Sequence, residues 1–301
     1  MISTLRAIFG ERLQENVILA PYTSARIGGP ADALITVKSA NEMAETITHL
    51  WEMRVPYIII GGGSNVLVSD FGVRGVTVLD RAKEVRFDNG DQPKVWAEAG
   101  AGFSSLANRA AEHGLAGLEW AAAVPGTVGG AVYGNAGAFG GDMAGNLIYA
   151  ELLTEHGREC WPVEKMEYGY RTSALKRSTL KFVVLAAEMR LSHSTKEAVR
   201  FKIGEFVSKR KSSQPPGASM GSMFKNPEGD FAGRLIEAAG LRGTRIGNVE
   251  ISNVHGNFFV NHGDTKANDV RRLIELAQKT VAEKFGVELE LEVELIGDWN
   301  E

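Results

Sequence analysis

The sequence predicts a mixed helix-and-strand protein of about two domains. Its 301 residues suit two units on a prior of roughly 150 residues each. Segments of helical periodicity alternate with short apolar runs of strand character along the whole chain. Glycine occurs 35 times, above the roughly 7% usual in globular chains, and is gathered into tracts.

The elements follow in order. Leu5, Ile8, Phe9 and Leu13 form an apolar stripe suited to a short amphipathic helix docked on the body. Residues 33–37 read as a strand. Ser39 caps the next helix, with Glu42 three residues on completing a capping box. Ala40, Met43, Ala44, Ile47 and Leu50 give that helix its buried face. Residues 55–60 read as a buried strand running into Gly61-Gly62-Gly63-Ser64-Asn65, after which Val66-Leu67-Val68 is extended. Residues 76–79 and 95–97 are further strands, and 103–113 is a helix stopped by Gly114. Residues 147–154 and 182–191 are strand-like. The helix over 195–211 closes on Lys209, Arg210 and Lys211, which suits the negative end of a helix dipole. Residues 212–217 then break the chain. A helix over 231–239 stops at Gly240, and Val270, Leu273, Ile274, Ala277 and Val281 mark the stripe of a last helix. Residues 287–296 alternate strictly and predict a strand.

Composition narrows the function. A hydrophobic content of 44% and a charged content of 23% are those of an ordinary globular protein, long enough to bury its core without staples. The net charge of −4 offers no basic field to nucleic acid. Cys160 is the lone cysteine, which excludes an internal disulfide framework and fits a reducing compartment. Residues 1–10 lack the apolar stretch of a secretory signal, and no run approaches the roughly 18 apolar residues of a membrane span. The expectation is a cytoplasmic protein without membrane or nucleic-acid partners. His49, His113, His156, His193, His255 and His262 show no metal-type spacing, so no metal is expected.

Four segments bear on chemistry. In 61–65, three glycines let the backbone turn tightly and approach a ligand, and successive N–H groups in such a turn make an anion nest. The dinucleotide fingerprint needs a helix directly after its glycines, whereas the chain here continues extended; a hairpin turn is the alternative. In 125–145, eight of 21 residues are glycine, interleaved with Val128, Val132, Tyr133 and Phe139 at a density no flexible linker carries. That tract reads as a backbone wall against a large flat ligand, and the two tracts together suggest two sides of one extended cofactor. Gly217-Ala218-Ser219-Met220-Gly221 matches the nucleophile elbow formally, but the strand before and helix after that motif are missing. Glu288, Glu290, Glu292 and Glu294 fall on one face of the final strand, an acidic solvated face unless one of them serves a cationic site.

The motifs as an ordered set resemble the MurB family, the UDP-N-acetylenolpyruvoylglucosamine reductases. They are Thr23-Ser24-Ala25-Arg26-Ile27-Gly28-Gly29-Pro30-Ala31-Asp32; Gly61-Gly62-Gly63-Ser64-Asn65; Gly117-Leu118-Glu119-Trp120 with Val124-Pro125-Gly126-Thr127-Val128-Gly129-Gly130 and Asn135-Ala136-Gly137; Tyr168-Gly169-Tyr170-Arg171-Thr172-Ser173; Gly221-Ser222-Met223-Phe224-Lys225-Asn226-Pro227; and Leu289-Glu290-Leu291-Glu292-Val293. The likeness runs from about residue 19 to 297 and, by the short interval between Arg171 and Ser222, is to the compact subtype. Thr127 stands where serine is common, Val124 where isoleucine is, and Asn248-Val249-Glu250 replaces a more usual small, Gly-rich stretch.

The resemblance implies an α+β fold in three parts: an FAD-binding module of the vanillyl-alcohol-oxidase type in two subdomains, 1–80 and 81–194, and a substrate domain over 195–301. It implies NADPH as co-substrate and reduction of the enolpyruvyl group of a UDP-sugar. Arg171, Ser222 and Glu292 match the catalytic set. Arg26, Ile27, Gly28, Gly61, Gly62, Gly63, Ser64, Asn65, Pro125, Gly126, Thr127, Gly129, Gly130, Asn135, Ala136 and Gly137 match the flavin site. Arg210, Gln214, Lys225 and Asn226 are candidates for the diphosphate and sugar. With Cys160 alone and no histidine in the glycine tracts, the FAD is expected to be non-covalent, in a monomer or weak dimer. An oxidase of the same fold and a non-catalytic UDP-sugar binder are the alternatives.

Overall fold

A computed structural model describes residues 2–299. The first group of elements is α1 (Ile2–Phe9), β1 (Leu13–Ile18), β2 (Pro30–Val37), α2 (Ala40–Glu52), β3 (Tyr57–Ile60), β4 (Val66–Val68) and β5 (Val73–Asp80). Strands β2, β5 and β3 run parallel, with β1 antiparallel at the edge. Half of the capping box forms, Ser39 Oγ accepting the Glu42 N–H, while Glu42 Oε2 reaches one residue further back to accept the Lys38 N–H at 2.8 Å. Met43, Ile47 and Leu50 then meet Val76 and Val78, as their spacing requires. Helix α1 lays Leu5 and Phe9 on the same core and leaves Ile8 at the surface.

The second group is β6 (Val85–Asp88), β7 (Lys94–Glu98), α3 (Phe103–Glu112), β8 (Leu115–Ala116), α4 (Val128–Gly134), β9 (Gly137–Ala138), β10 (Gly141–Asp142), α5 (Met143–Asn146), β11 (Leu147–Thr154), β12 (Gly157–Pro162), α6 (Ala174–Arg177), β13 (Val183–Arg190), β14 (Ser192–His193) and α7 (Lys196–Ser213). Its antiparallel sheet has the order β12-β11-β13-β7-β6. A largely parallel sheet and a separate antiparallel one, each with its own helices, place the chain in the α+β class. Val199 and Ile203 of α7 are buried with Trp120 and Leu106, so this helix lies on the second core.

The third group is α8 (Ala232–Ala238), β15 (Arg245–Ile246), β16 (Val249–Ile251), β17 (Phe259–Asn261), α9 (Ala267–Phe285) and β18 (Glu294–Ile296). Val270, Leu273, Ile274, Ala277 and Val281 of α9 are all buried, and Gly286 ends the helix at φ +68°. Ala25, Ile27 and Leu67 of the first group enter this third core. The third core is therefore built from both the first group and the last.

The expected strand over 287–296 is only partly formed. Its regular part is Glu294–Ile296, paired in parallel with β4. Ahead of it, Leu291 bridges Phe224, and the Glu292 N–H bonds the Met223 carbonyl at 2.9 Å. The segment changes partners midway, from the third group to the first. Leu289 and Val293 stay buried but Leu295 turns outward. Many shorter elements lay below the sequence signal, among them β1, β6, β12, β15–β17 and α4, the last of which opens inside the second glycine tract at a Thr127 cap.

Candidate active site

The two glycine tracts meet. A Cβ on Gly61 would stand 2.5 Å from Thr127 Oγ1, one on Gly62 2.8 Å from Gly126 Cα, and one on Gly126 2.7 Å from Ser64 Oγ. At Gly62 the obstacle is backbone, so glycine is required there, whereas Gly61 and Gly126 are crowded by the Thr127 and Ser64 side chains of the opposite tract. Ser64 Oγ donates to the Pro125 carbonyl at 3.4 Å across the same seam. Among the described residues the N–H groups of Gly62, Gly63 and Ser64 have no hydrogen-bond partner. Successive unpaired amides beside a Cβ-free wall have the form of an anion cradle, and they fit the pyrophosphate of a dinucleotide. Gly62, Asn65, Pro125 and Gly130 are exposed along this edge.

The remaining flavin candidates are placed around that seam. Gly129 sits under Ala99, its N–H bonding the Ala99 carbonyl at 2.8 Å. Asn135 ends α4 in the left-handed region at φ +47°. It is buried, donating to the Gly169 carbonyl at 3.0 Å and accepting the Ala144 N–H at 3.0 Å. Its side chain therefore braces the loop that carries Arg171. Ala136 and Gly137 follow into the β9–β10 hairpin, Ala136 receiving the Met143 N–H on its carbonyl. Arg26 is exposed at φ +57° and Gly28 lies against Val68. Ile27 has its side chain buried in the third core and its backbone held by Thr23 Oγ1, at 2.9 and 3.1 Å.

Arg171 comes from the tip of a four-residue turn closed by reciprocal Gly169–Thr172 bonds, at 3.2 and 3.3 Å. It adopts φ +53°, costly for a side chain of this size and held by the surrounding packing. Its Nε stands 2.7 Å from Glu292 Oε1. The N–H nevertheless points off the carboxylate, so the buried Nε–H has no hydrogen-bond acceptor in the protein. The pair is a short ionic contact, and the guanidinium, 25% exposed, keeps its terminal N–H groups for a second anion.

Glu292 is fixed on both sides. Its N–H bonds Met223, its carbonyl accepts Asn65 Nδ2 at 2.9 Å, and the Asn65 carbonyl accepts the Glu294 N–H at 3.0 Å. Burial raises its carboxyl above the ordinary range, against the opposing pull of Arg171, Lys176 and Lys225. Ser222 precedes Met223 and bridges Phe258. Among the described residues nothing bonds its hydroxyl. The chain around it is carried by buried Asn257, which accepts the Phe224 N–H at 2.9 Å and donates to the Phe224 carbonyl at 2.7 Å. No helix follows Gly221, so the formal elbow motif has no elbow geometry.

The substrate candidates fall into two sets. Lys225 pairs with Glu290, and its backbone N–H bonds the Glu290 carbonyl at 2.8 Å. Asn226 caps α8 through the Ala232 N–H at 3.1 Å, and its own N–H donates to Tyr170 Oη at 3.3 Å. Arg210 and Gln214 stand at the end of α7. Arg210 is partly buried, desolvation lowers its pKa, and among the described residues it has no carboxylate partner. Tyr170, Lys176 and Asn257 were missed. Tyr170 was within reach as the neighbour of Arg171, but Lys176 and Asn257 reach the site through contacts no local pattern announces.

A parallel sheet, a glycine cradle with free amides and a guanidinium tied to it through Glu292 and Asn65 are the frame of an FAD-binding protein. A family model described as an FAD binding domain matches residues 31–161. One described as the UDP-N-acetylenolpyruvoylglucosamine reductase C-terminal domain matches residues 212–296. The chain is 45% identical over 289 residues to the UDP-N-acetylenolpyruvoylglucosamine reductase of Chloroflexus aggregans, covering 94% of this chain and 97% of that protein. It is 45% identical over 280 residues to the enzyme of that name from Rubrobacter xylanophilus, covering 93% and 94%. The crystal structure of the Thermus caldophilus reductase (MurB) superposes with a TM-score of 0.80 at 35% identity, over 94% of this chain and 98% of that one. The chain belongs to the UDP-N-acetylenolpyruvoylglucosamine reductase family and is, with it, a flavin-dependent oxidoreductase. No helix among the described residues is long and apolar enough to cross a membrane.

Proposed function

We propose that the protein reduces the enolpyruvyl double bond of UDP-N-acetylglucosamine enolpyruvate to give UDP-N-acetylmuramate, with FAD held non-covalently and NADPH as electron donor. The observation that carries the reading is Arg171, with its part-exposed guanidinium, meeting Glu292 next to Ser222. The flavin, when bound, supplies hydride chemistry that no side chain here provides. The amides of Gly62, Gly63 and Ser64 hold its pyrophosphate, and the tracts around Gly126 and Gly130 line its flat face.

Arg171 stabilises the negative charge that develops beside the substrate carboxylate as hydride adds to the terminal carbon. Glu292 keeps the guanidinium in place. Ser222 gives its proton to the carbon next to the carboxylate, and bulk water returns it; a hydroxyl so weakly acidic serves only against a strongly basic carbanion-like centre in a dry site. Arg210 and Lys225 hold the diphosphate, with Gln214 and Asn226 on the sugar nucleotide. Packing of α7 on the second core supports placing the hinge of the third unit after Ser213, not at residue 195. We place the reaction in the cytoplasm, by a monomer or weak dimer.

The test is spectroscopic. Purified protein is yellow, and acid precipitation leaves the colour in the supernatant; colour on the pellet favours an oxidase with attached flavin. NADPH bleaches the flavin band, and anaerobic UDP-sugar substrate restores it. A band that NADPH never bleaches leaves only a UDP-sugar binder and ends the reductase reading.

A further inference from the structure

Three carboxylates on the last segment each meet a cation from a different place. Glu290 pairs with Lys225 of its own unit, Glu292 with Arg171, and Glu294 with Lys176 at 2.5 Å. The last two ion pairs join the second group of elements to the end of the chain. Lys176 lies on the one-turn helix α6, whose Ser173 cap accepts the Lys176 N–H at 3.2 Å. Ser173 is fully buried and its hydroxyl donates to the Tyr133 carbonyl at 2.6 Å. The ammonium therefore rises from a braced base, only 19% exposed, five residues beyond Arg171. Lys–carboxylate pairs at the surface contribute little; here Glu294 is 41% exposed but the lysine is covered, and the pair lies one strand repeat, roughly 7 Å, from Glu292.

We propose that Lys176 is a positioning residue for the reduction: through Glu294 it locks the end of the chain onto the second unit, so that Glu292 is presented to Arg171 as a carboxylate. It touches neither substrate nor flavin in this role. The inference rests on the reading above, that Arg171 and Glu292 act together. The groups facing the Glu292 carboxyl are Arg171 and Lys176 from the second unit and Lys225 from the third. Glu290 and Glu294 flank it on its own segment, and Tyr133 and Tyr170 stand beside Glu294 and Arg171. Removing the Lys176 ammonium takes away one of three opposing charges and leaves Glu294 unneutralised nearby. Both changes favour the protonated form of Glu292. A protonated Glu292 holds Arg171 less firmly.

The experiment compares flavin-loaded parent, Lys176→Met, Lys176→Arg and Glu294→Gln. Flavin content per chain is checked first. Lys176→Met is expected to lower kcat on the order of tenfold with KM within about twofold, since small misplacement of a reacting group is costly. The acid limb of its kcat profile moves to higher pH, and Lys176→Arg restores both. Glu294→Gln lowers kcat without that upward movement, because it removes the flanking negative charge as well as the clamp. A readout without turnover is the infrared band of the protonated Glu292 carboxyl, identified by its loss in Glu292→Gln; its midpoint rises in Lys176→Met by about half a unit or more. A Lys176→Met enzyme with parental kcat, limb and midpoint overturns the proposal while leaving the reductase intact. A parent that never turns over overturns the function itself, and the infrared midpoint still decides the role of Lys176.

Discussion

Asn65 donates its side-chain amide to the carbonyl oxygen of Glu292 at 2.9 Å, joining the first glycine tract to the carboxylate that pairs with Arg171. One residue thus ties the glycine tract proposed to hold the cofactor to the segment proposed as catalytic. Asn65→Ala is expected to weaken both: flavin content falls, and in the fraction that stays loaded kcat drops on the order of tenfold. Flavin absorbance per chain and steady-state kinetics check the two effects separately. A variant that loses flavin but turns over at the parental rate per flavin breaks the link to Glu292.

Arg171→Lys keeps the charge and loses the planar fork. Such an exchange is not conservative where two anions share one guanidinium. The expected loss in kcat/KM is on the order of 10²-fold or more, with flavin still bound. Arg171→Ala additionally leaves the Glu292 carboxyl without its main cation, so the carboxyl rises further and the acid limb of the profile moves up in pH.

Gly61 and Gly62 separate two kinds of crowding. Gly62→Ala meets the Gly126 Cα, which has nowhere to go. Flavin affinity is expected to fall by at least tenfold, read by equilibrium dialysis, while the circular dichroism spectrum stays parental. Gly61→Ala meets the Thr127 side chain instead, so Gly61→Ala with Thr127→Ala recovers much of the lost affinity. No change at Thr127 rescues Gly62→Ala.

Asp80 lies buried at the meeting of the first two units, near Glu98, and its carboxyl is pushed up to about 6 by desolvation, against the Ala82 N–H bond at 2.9 Å. Glu98 in turn accepts the Ala40 N–H at 2.7 Å, from the start of α2. A carboxyl that binds its proton more tightly folded than unfolded, where the value is about 4, adds stability below about pH 4. That contribution, on the order of 2–3 kcal/mol, is lost as pH rises to about 6. Asp80→Asn is expected to flatten the slope of thermal stability between about pH 4 and 6 and to gain on the order of 1 kcal/mol at pH 7. Melting curves at several pH values across this window check it.

Ser222→Ala should leave flavin reduction by NADPH intact and slow flavin re-oxidation by the substrate on the order of 10²-fold or more, the share of a positioned proton donor. Stopped-flow absorbance separates the two half-reactions. Equal slowing of both assigns the serine to packing.

What the sequence could say follows from where each residue finds its partner. Ser39 with Glu42, and the stripe from Val270 to Val281, are satisfied within a turn or on one face, so their pattern carried over intact. Residues 287–296 look like one strand because their alternation is regular, yet the segment leaves Met223 for β4 midway. No local pattern encodes a change of partner. The glycines were legible as a close approach, but part of what approaches Gly61, Gly62 and Gly126 is the other tract. Ile27 stood inside a recognisable motif and still turned inward, because the third core needed an apolar side chain there. Lys176 carried no signal at all: its carboxylate lies at the other end of the chain.

Asn65 and Glu292 are 227 residues apart, and this spacing governs when the enzyme can begin to exist during synthesis. A ribosome making the chain releases the cradle early and Glu292 near the finish. Before that last stretch emerges, the third-core residues from Met220 to Val281 already exist to cover Ile27 and Leu67, and only Leu289 and Val293 are missing. Translation arrested at Gly286 should therefore yield a species with most of its apolar cover that still reduces nothing, because Glu292 and the strand that pairs with β4 have not been made.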